Sequence, residues 1–110
     1  MSKYQCIITV TKRGLGSDVV DASRINGAQG GTILQGRGTS DVEIKKLFGM
    51  FIEPEKELVI TVVESSKTKR VTEGIRKAVE LDKPGRGILF VIDLDDVVGI
   101  DKMSDKKDLS

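Results

Sequence analysis

Residues 58–63 (LVITVV) and 88–92 (ILFVI) carry hydrophobic side chains at odd and even positions alike. Successive side chains of a strand point to opposite faces, so Leu58, Ile60 and Val62 oppose Val59, Thr61 and Val63. In the second run Ile88, Phe90 and Ile92 oppose Leu89 and Val91. A sheet made of such strands is apolar on both surfaces, unlike one that turns a face to water. Both surfaces therefore need a cover.

The rest of the chain supplies a cover for one of them. Residues 6–12 (CIITVTK) are rich in β-branched side chains and read as a first strand. A helix follows, capped by Ser17 or Asp18, carrying Val19, Val20, Ala22 and Ile25, and stopped by Asn26 and Gly27. Residues 31–35 (GTILQ) form a second strand that runs into Gly36, Arg37 and Gly38, and residues 56–63 a third. A second helix, capped by Ser65 or Ser66, aligns Val71, Ile75, Ala78 and Val79 at the spacing of an amphipathic face, and Pro84 and Gly85 stop it. Residues 88–93 form the fourth strand, and the acidic turn after it leads into a helical stretch, LDDVVGI.

The order βαββαβ predicts an α+β, ferredoxin-like domain: a four-stranded antiparallel sheet with two helices on one face. Those helices leave the second apolar surface open. A copy of the same chain in a closed cyclic oligomer is the expected cover, and a fold-back of residues 39–56 is the alternative. That segment, TSDVEIKKLFGMFIEPEK, is far longer than the roughly 2–5 residues of a hairpin loop. Ser40 or Asp41 opens a short helical pattern there, with Ile44, Leu47, Phe48 and Phe51 on one side. It packs on its own domain or a neighbour, or it docks these side chains on a partner protein.

Composition narrows the function classes. The 110 residues suit one domain, 1–110, with a polar tail at 101–110. Eighteen Lys and Arg against 17 Asp and Glu leave a net charge of +1, too little for a general nucleic-acid or membrane field. Histidine is absent, which removes the commonest general base and metal ligand. Cys6 is the single cysteine and reads as a small apolar strand residue, in keeping with a cytoplasmic protein. The chain has neither a signal-peptide pattern at its start nor an apolar run long enough to span a bilayer.

Three stretches then stand in a recognisable order: GAQGGTILQGRGTS (27–40), EPEKELVITVV (53–63) and GRGILFVIDLDDVVGI (85–100). With that layout the chain resembles the P-II nitrogen regulatory proteins, in particular their short bacterial P-II-like branch, over about residues 6–100. The resemblance implies a homotrimer with ligand clefts between subunits. It also implies a long loop, here 39–55, that changes shape with ligand and contacts a regulated partner such as a membrane transporter. Gly36, Arg37, Gly38 and Lys56 would form one wall of the cleft, and Gly85, Arg86 and Gly87 of a neighbouring copy the other. Glycines let backbone N–H groups approach an anion and arginine offers a planar fork of donors. An adenine nucleotide is the ligand the resemblance suggests, with no cofactor assigned from the residues themselves. Taken locally, 85–87 read first as a plain turn into the strand, and only the matching 36–38 turn and the family layout favour the ligand wall.

The chain departs from nucleotide-binding members at Ile88, where they carry lysine, and in a tail, DKMSDKKDLS, with no arginine. Tyr4 is the only tyrosine, so loop uridylylation is not expected. Against the regulatory reading stands a small nucleotide-processing or metal-binding enzyme on the same fold. Asp93, Asp95 and Asp96 would be its metal ligands, but no paired base and nucleophile accompany them, and the expectation is no catalytic and no metal site. An RNA-binding sheet needs exposed aromatics on its central strands and a basic face, so no nucleic-acid partner is expected.

Overall fold

The computed structural model describes residues 3–38 and 55–100. Four strands, β1 (Tyr4–Lys12), β2 (Thr32–Arg37), β3 (Glu55–Glu64) and β4 (Gly87–Leu94), form one sheet in the order β2-β3-β1-β4. Every neighbouring pair is antiparallel. Helix α1 (Gly16–Ile25) joins β1 to β2, and a 3-10 turn (Ser65–Lys67) leads into helix α2 (Thr68–Ala78) before β4. This is the βαββαβ ferredoxin-like arrangement, with both helices on one face.

The pairing register sorts the side chains as the two-faced strands require. Ile7 of β1 lies opposite Thr61 of β3 and Val91 of β4, and Thr9 opposite Val59 and Leu89. This row faces the helices, and there Ile7, Val59, Val63, Val19, Val71, Ile75 and Val79 make the buried core. The alternate row is also apolar: Ile8 opposes Ile60 and Phe90, Val10 opposes Leu58 and Ile88, and Cys6 opposes Val62 and Ile92. Among the described residues no element covers that row, and Ile88 is 61% exposed, Leu34 45%, Ile92 44% and Phe90 42%.

Four local expectations are corrected. Neither Ser17 nor Asp18 caps α1. The helix begins at Gly16 behind Leu15, and the Glu57 carboxylate, brought from β3, accepts the Gly16 N–H at 2.7 Å. Neither Ser65 nor Ser66 caps α2, because both lie in the 3-10 turn and Thr68 opens the helix. Helix α2 stops at Ala78, not at Pro84 and Gly85. Glu80 turns to a φ of 55° and the Leu81 N–H reaches back to the Arg76 carbonyl at 3.0 Å, a Schellman closure on a non-glycine residue. Residues 95–100 form no helix, so the stretch after β4 is irregular.

Two side chains also leave the expected helical faces. Ile25 is 82% exposed, since Val19, Ala22 and Ser23 define the buried stripe of α1 and Ile25 falls six positions from Val19, off that stripe. Ala78 is exposed while Val71, Ile75 and Val79 are buried. The stop at Asn26 and Gly27 holds, with Gly27 at a φ of 116° and the Ala28 N–H on the Ser23 carbonyl at 2.9 Å.

The helix-side core is not wholly apolar. Thr9, Thr11 and Thr61 are buried to 1% exposure or less, and among the described residues Thr9 Oγ1 has no hydrogen-bond partner. A buried hydroxyl without a partner forfeits its hydration and regains nothing. Thr9→Val keeps the shape and removes that loss. It is expected to stabilise the fold by about 1 kcal/mol, seen as a rise of roughly 5 °C in melting temperature. A fall would mean that the hydroxyl is bonded after all.

Candidate functional site

The described residues of the cleft expected from sequence lie at one end of the sheet. Gly36 of β2 stands opposite Lys56 of β3, and Lys56 opposite Lys12 of β1. On the next strand Gly87 begins β4 opposite Thr11. The two glycine turns thus share an end of the sheet but occupy its opposite edges. Three strand spacings separate them, roughly 14 Å, so one chain cannot close both around a single small ligand.

Gly36, Lys56 and Lys12 lie on the uncovered apolar face, at the rim of the row that holds Leu34, Leu58 and Val10. The side chains of β3 lie close over both glycines: a Cβ on Gly36 would lie 3.1 Å from Leu58 Cδ1, and one on Gly38 2.9 Å from Lys56 Cε. Lys56 therefore lies across Gly38. Lys12 is the residue that sequence reasoning missed. Two like charges directly opposite on neighbouring strands repel, and an anion between them would relieve the repulsion. Only the strand register reveals the pairing, because the two lysines are distant in sequence. Arg37, exposed at the end of β2, stands opposite Glu55, whose carboxylate is bonded to Arg13.

The turn at 85–87 is shaped by packing as much as by any ligand. Gly85 has a φ of 77° and Gly87 a φ of 139°, and a Cβ on Gly87 would stand 2.2 Å from the Val10 carbonyl oxygen. Thr11 Oγ1 donates to the Arg86 carbonyl at 2.9 Å. The Arg86 guanidinium turns away from the lysines, and its Nε donates to the Val79 carbonyl at 2.9 Å.

Behind this end, on the helix side, Glu57 holds the start of α1. The Gly16 N–H lowers its carboxyl below the usual carboxylate range, against a partial desolvation that raises it; Gln35, the Gly14 N–H and Arg13 add to the lowering. A carboxyl so depressed contributes stability above its unfolded pKa and loses it as pH falls through the lower folded value. Acid titration of unfolding should therefore show Glu57→Gln less stable than the parent at neutral pH. The gap should shrink as the parent's own carboxylate is protonated, and a gap independent of pH would contradict the assignment.

Other candidates are placed elsewhere. Asp93 on β4 accepts a hydrogen bond from Gln5 on β1, and among the described residues no group of three or more Cys, Asp or Glu is disposed to hold a metal. Cys6 is buried, and burial pushes its thiol up, away from the reactive thiolate. An open groove of about 550 Å3 runs between α1 and α2, bordered by Ala22, Ile25, Arg70 and Gly74, and neither glycine turn nor Lys56 lines it. Ile44, Leu47, Phe48 and Phe51 lie outside the described residues. Among the described residues no helix is long and apolar enough to cross a membrane.

The described residues thus form a ferredoxin-like sheet with one face uncovered and Gly36, Lys56 and Lys12 at its rim. The family model of the nitrogen regulatory protein P-II matches residues 4–103, and the chain belongs to that family. Among solved structures, the Arabidopsis thaliana PII protein bound to citrate is similar with a TM-score of 0.72 at 20% identity, over 91% of this chain and 82% of that one. At that identity the likeness speaks for the fold. No curated protein matches the sequence.

Proposed function

We propose that the chain is a ligand-responsive regulator of the short bacterial P-II-like branch, acting as a cytoplasmic homotrimer and not as an enzyme. Copies of the chain cover one another's open sheet face. The 36–38 end of one copy then meets the 85–87 turn of the next, with Lys56 and Lys12 between them. The ligand is a small anion: an adenine nucleotide first, a polycarboxylate such as the citrate bound to the Arabidopsis protein second. Residues 39–55, through Ile44, Leu47, Phe48 and Phe51, pass the bound state to a partner protein, a membrane transporter being the type the family suggests.

The observation that carries this reading is the apolar face that ends in two opposed lysines. Monomers seldom leave such a face in water, and the intrachain separation of the two glycine turns is removed only by a second copy. Equilibrium sedimentation combined with titration calorimetry tests it. The expected result is a trimer at micromolar concentration that binds ATP, ADP or citrate, with affinity reduced in Lys12→Ala and Lys56→Ala. A monomer, or a trimer whose anion affinity ignores both lysines, would overturn it.

A further inference from the structure

Gly85, Arg86 and Gly87 set two glycines of positive φ around a side chain whose Nε is hydrogen-bonded to a helix end. Glycines hold no direction by themselves, so a turn of this kind keeps its shape only if something outside it does so. Two contacts hold it. On the strand side the Thr11 hydroxyl donates to the Arg86 carbonyl at 2.9 Å, and Thr11 is itself fully buried. On the helix side Arg86 Nε donates to the Val79 carbonyl at 2.9 Å, on the last turn of α2.

The surroundings favour that second contact. Val79 is the C-cap residue of α2, where unpaired carbonyls and the negative end of the helix dipole attract a cation. Glu80, in its left-handed conformation, places Oε1 3.9 Å from Arg86 Nη2 and Oε2 2.6 Å from Lys83 Nζ. The Arg86 side chain is only 26% exposed, and the residue's backbone N–H donates to the Lys83 carbonyl at 3.4 Å. With Nε bonded to the Val79 carbonyl and Nη2 within ion-pair range of Glu80, the guanidinium is drawn to the helix side of the turn.

We infer that Arg86 is a positioning residue: it clamps the 85–87 turn between the end of α2 and β1, and it does not touch the ligand. The inference rests on the cleft reading for its purpose, since the clamp fixes the direction in which the turn's backbone faces a neighbouring copy. Its geometry stands without that reading. The clamp also ties the turn to α2, so a displacement of the turn would move the helix end.

Two measurements separate the inference from the reading beneath it. Amide hydrogen exchange needs no ligand. Arg86→Ala should speed exchange over residues 81–88 by roughly tenfold or more while β1 and β3 stay protected, and Arg86→Lys, which keeps a cationic donor near the Val79 carbonyl, should restore much of the protection. If Arg86→Ala does not fold, Arg86→Met keeps the stem and loses the donors, and the same exchange is read on it. Unchanged exchange in the folded variant overturns the clamp. Calorimetry with ATP, ADP and AMP is the second measurement. A positioning residue weakens all three by one common factor, whereas a phosphate contact gives a loss that grows with the number of phosphates, and that pattern overturns the inference. Should the parent bind none of the three, the nucleotide form of the cleft reading fails, and the exchange result still decides the role of Arg86.

Discussion

Gly87→Ala is expected to lower the melting temperature by roughly 10–20 °C. Two costs coincide at this position. The φ of 139° is one that L side chains rarely adopt, which alone costs about 1–3 kcal/mol. The added Cβ would also stand 2.2 Å from the Val10 carbonyl oxygen and 3.0 Å from Thr11 Cα, both on the central strand β1. Neither atom can yield without disturbing two strand pairings. The start of β4 must therefore lift off, which exposes the Thr11 contact as well. Gly85→Ala is the control, because its φ of 77° is also positive but nothing lies within 4 Å of the new atom. It should cost only about 1–2 kcal/mol. Thermal unfolding by circular dichroism compares the two, and equal losses would mean that backbone conformation, not the close approach to β1, sets the cost.

That result bears on how this turn is read from sequence. A glycine pair around an arginine before a strand fits either a ligand wall or a turn. The contacts of Gly87 supply a sufficient structural reason for its identity whatever the pocket does. The strands themselves were legible, since β-branched runs and turn residues mark them plainly. So was the two-faced sheet, because the alternation in LVITVV and ILFVI depends on nothing beyond the pleat. Apart from the stop of α1 at Asn26 and Gly27, the helix ends were not. Their partners come from far along the chain or from conformations that residue type does not announce: Glu57 caps α1 from 41 positions away, and Glu80 takes the left-handed role normally given to glycine. Of the candidate site, only part of the neighbourhood was legible. Gly36, Gly38 and Lys56 do lie together, yet Lys12 joins them only through the pairing of β1 with β3, and Arg86, chosen for its charge, spends that charge on a helix end.

The second large effect concerns the open face, and Ile92→Asp isolates it. In a lone chain Ile92 is 44% exposed on an edge strand, so a carboxylate there remains hydrated. A substitution of that kind on a free surface changes stability by no more than about 0.5–1 kcal/mol. The outcome is different if another copy lies against the face. Each subunit would then bury an unpaired carboxylate among Phe90, Ile8 and Cys6 side chains, at several kcal/mol per ion. A closed ring repeats that cost at every interface, because symmetry places the same change in each copy. The expected result is a variant that keeps the far-ultraviolet spectrum of the parent but sediments as a monomer where the parent is an assembly. Loss of anion binding should accompany the loss of assembly, since the two glycine turns of one chain stay roughly 14 Å apart. An Ile92→Asp protein that assembles as the parent does would show that the apolar face is not the surface that copies share, and the intersubunit cleft would have to be sought elsewhere on the molecule.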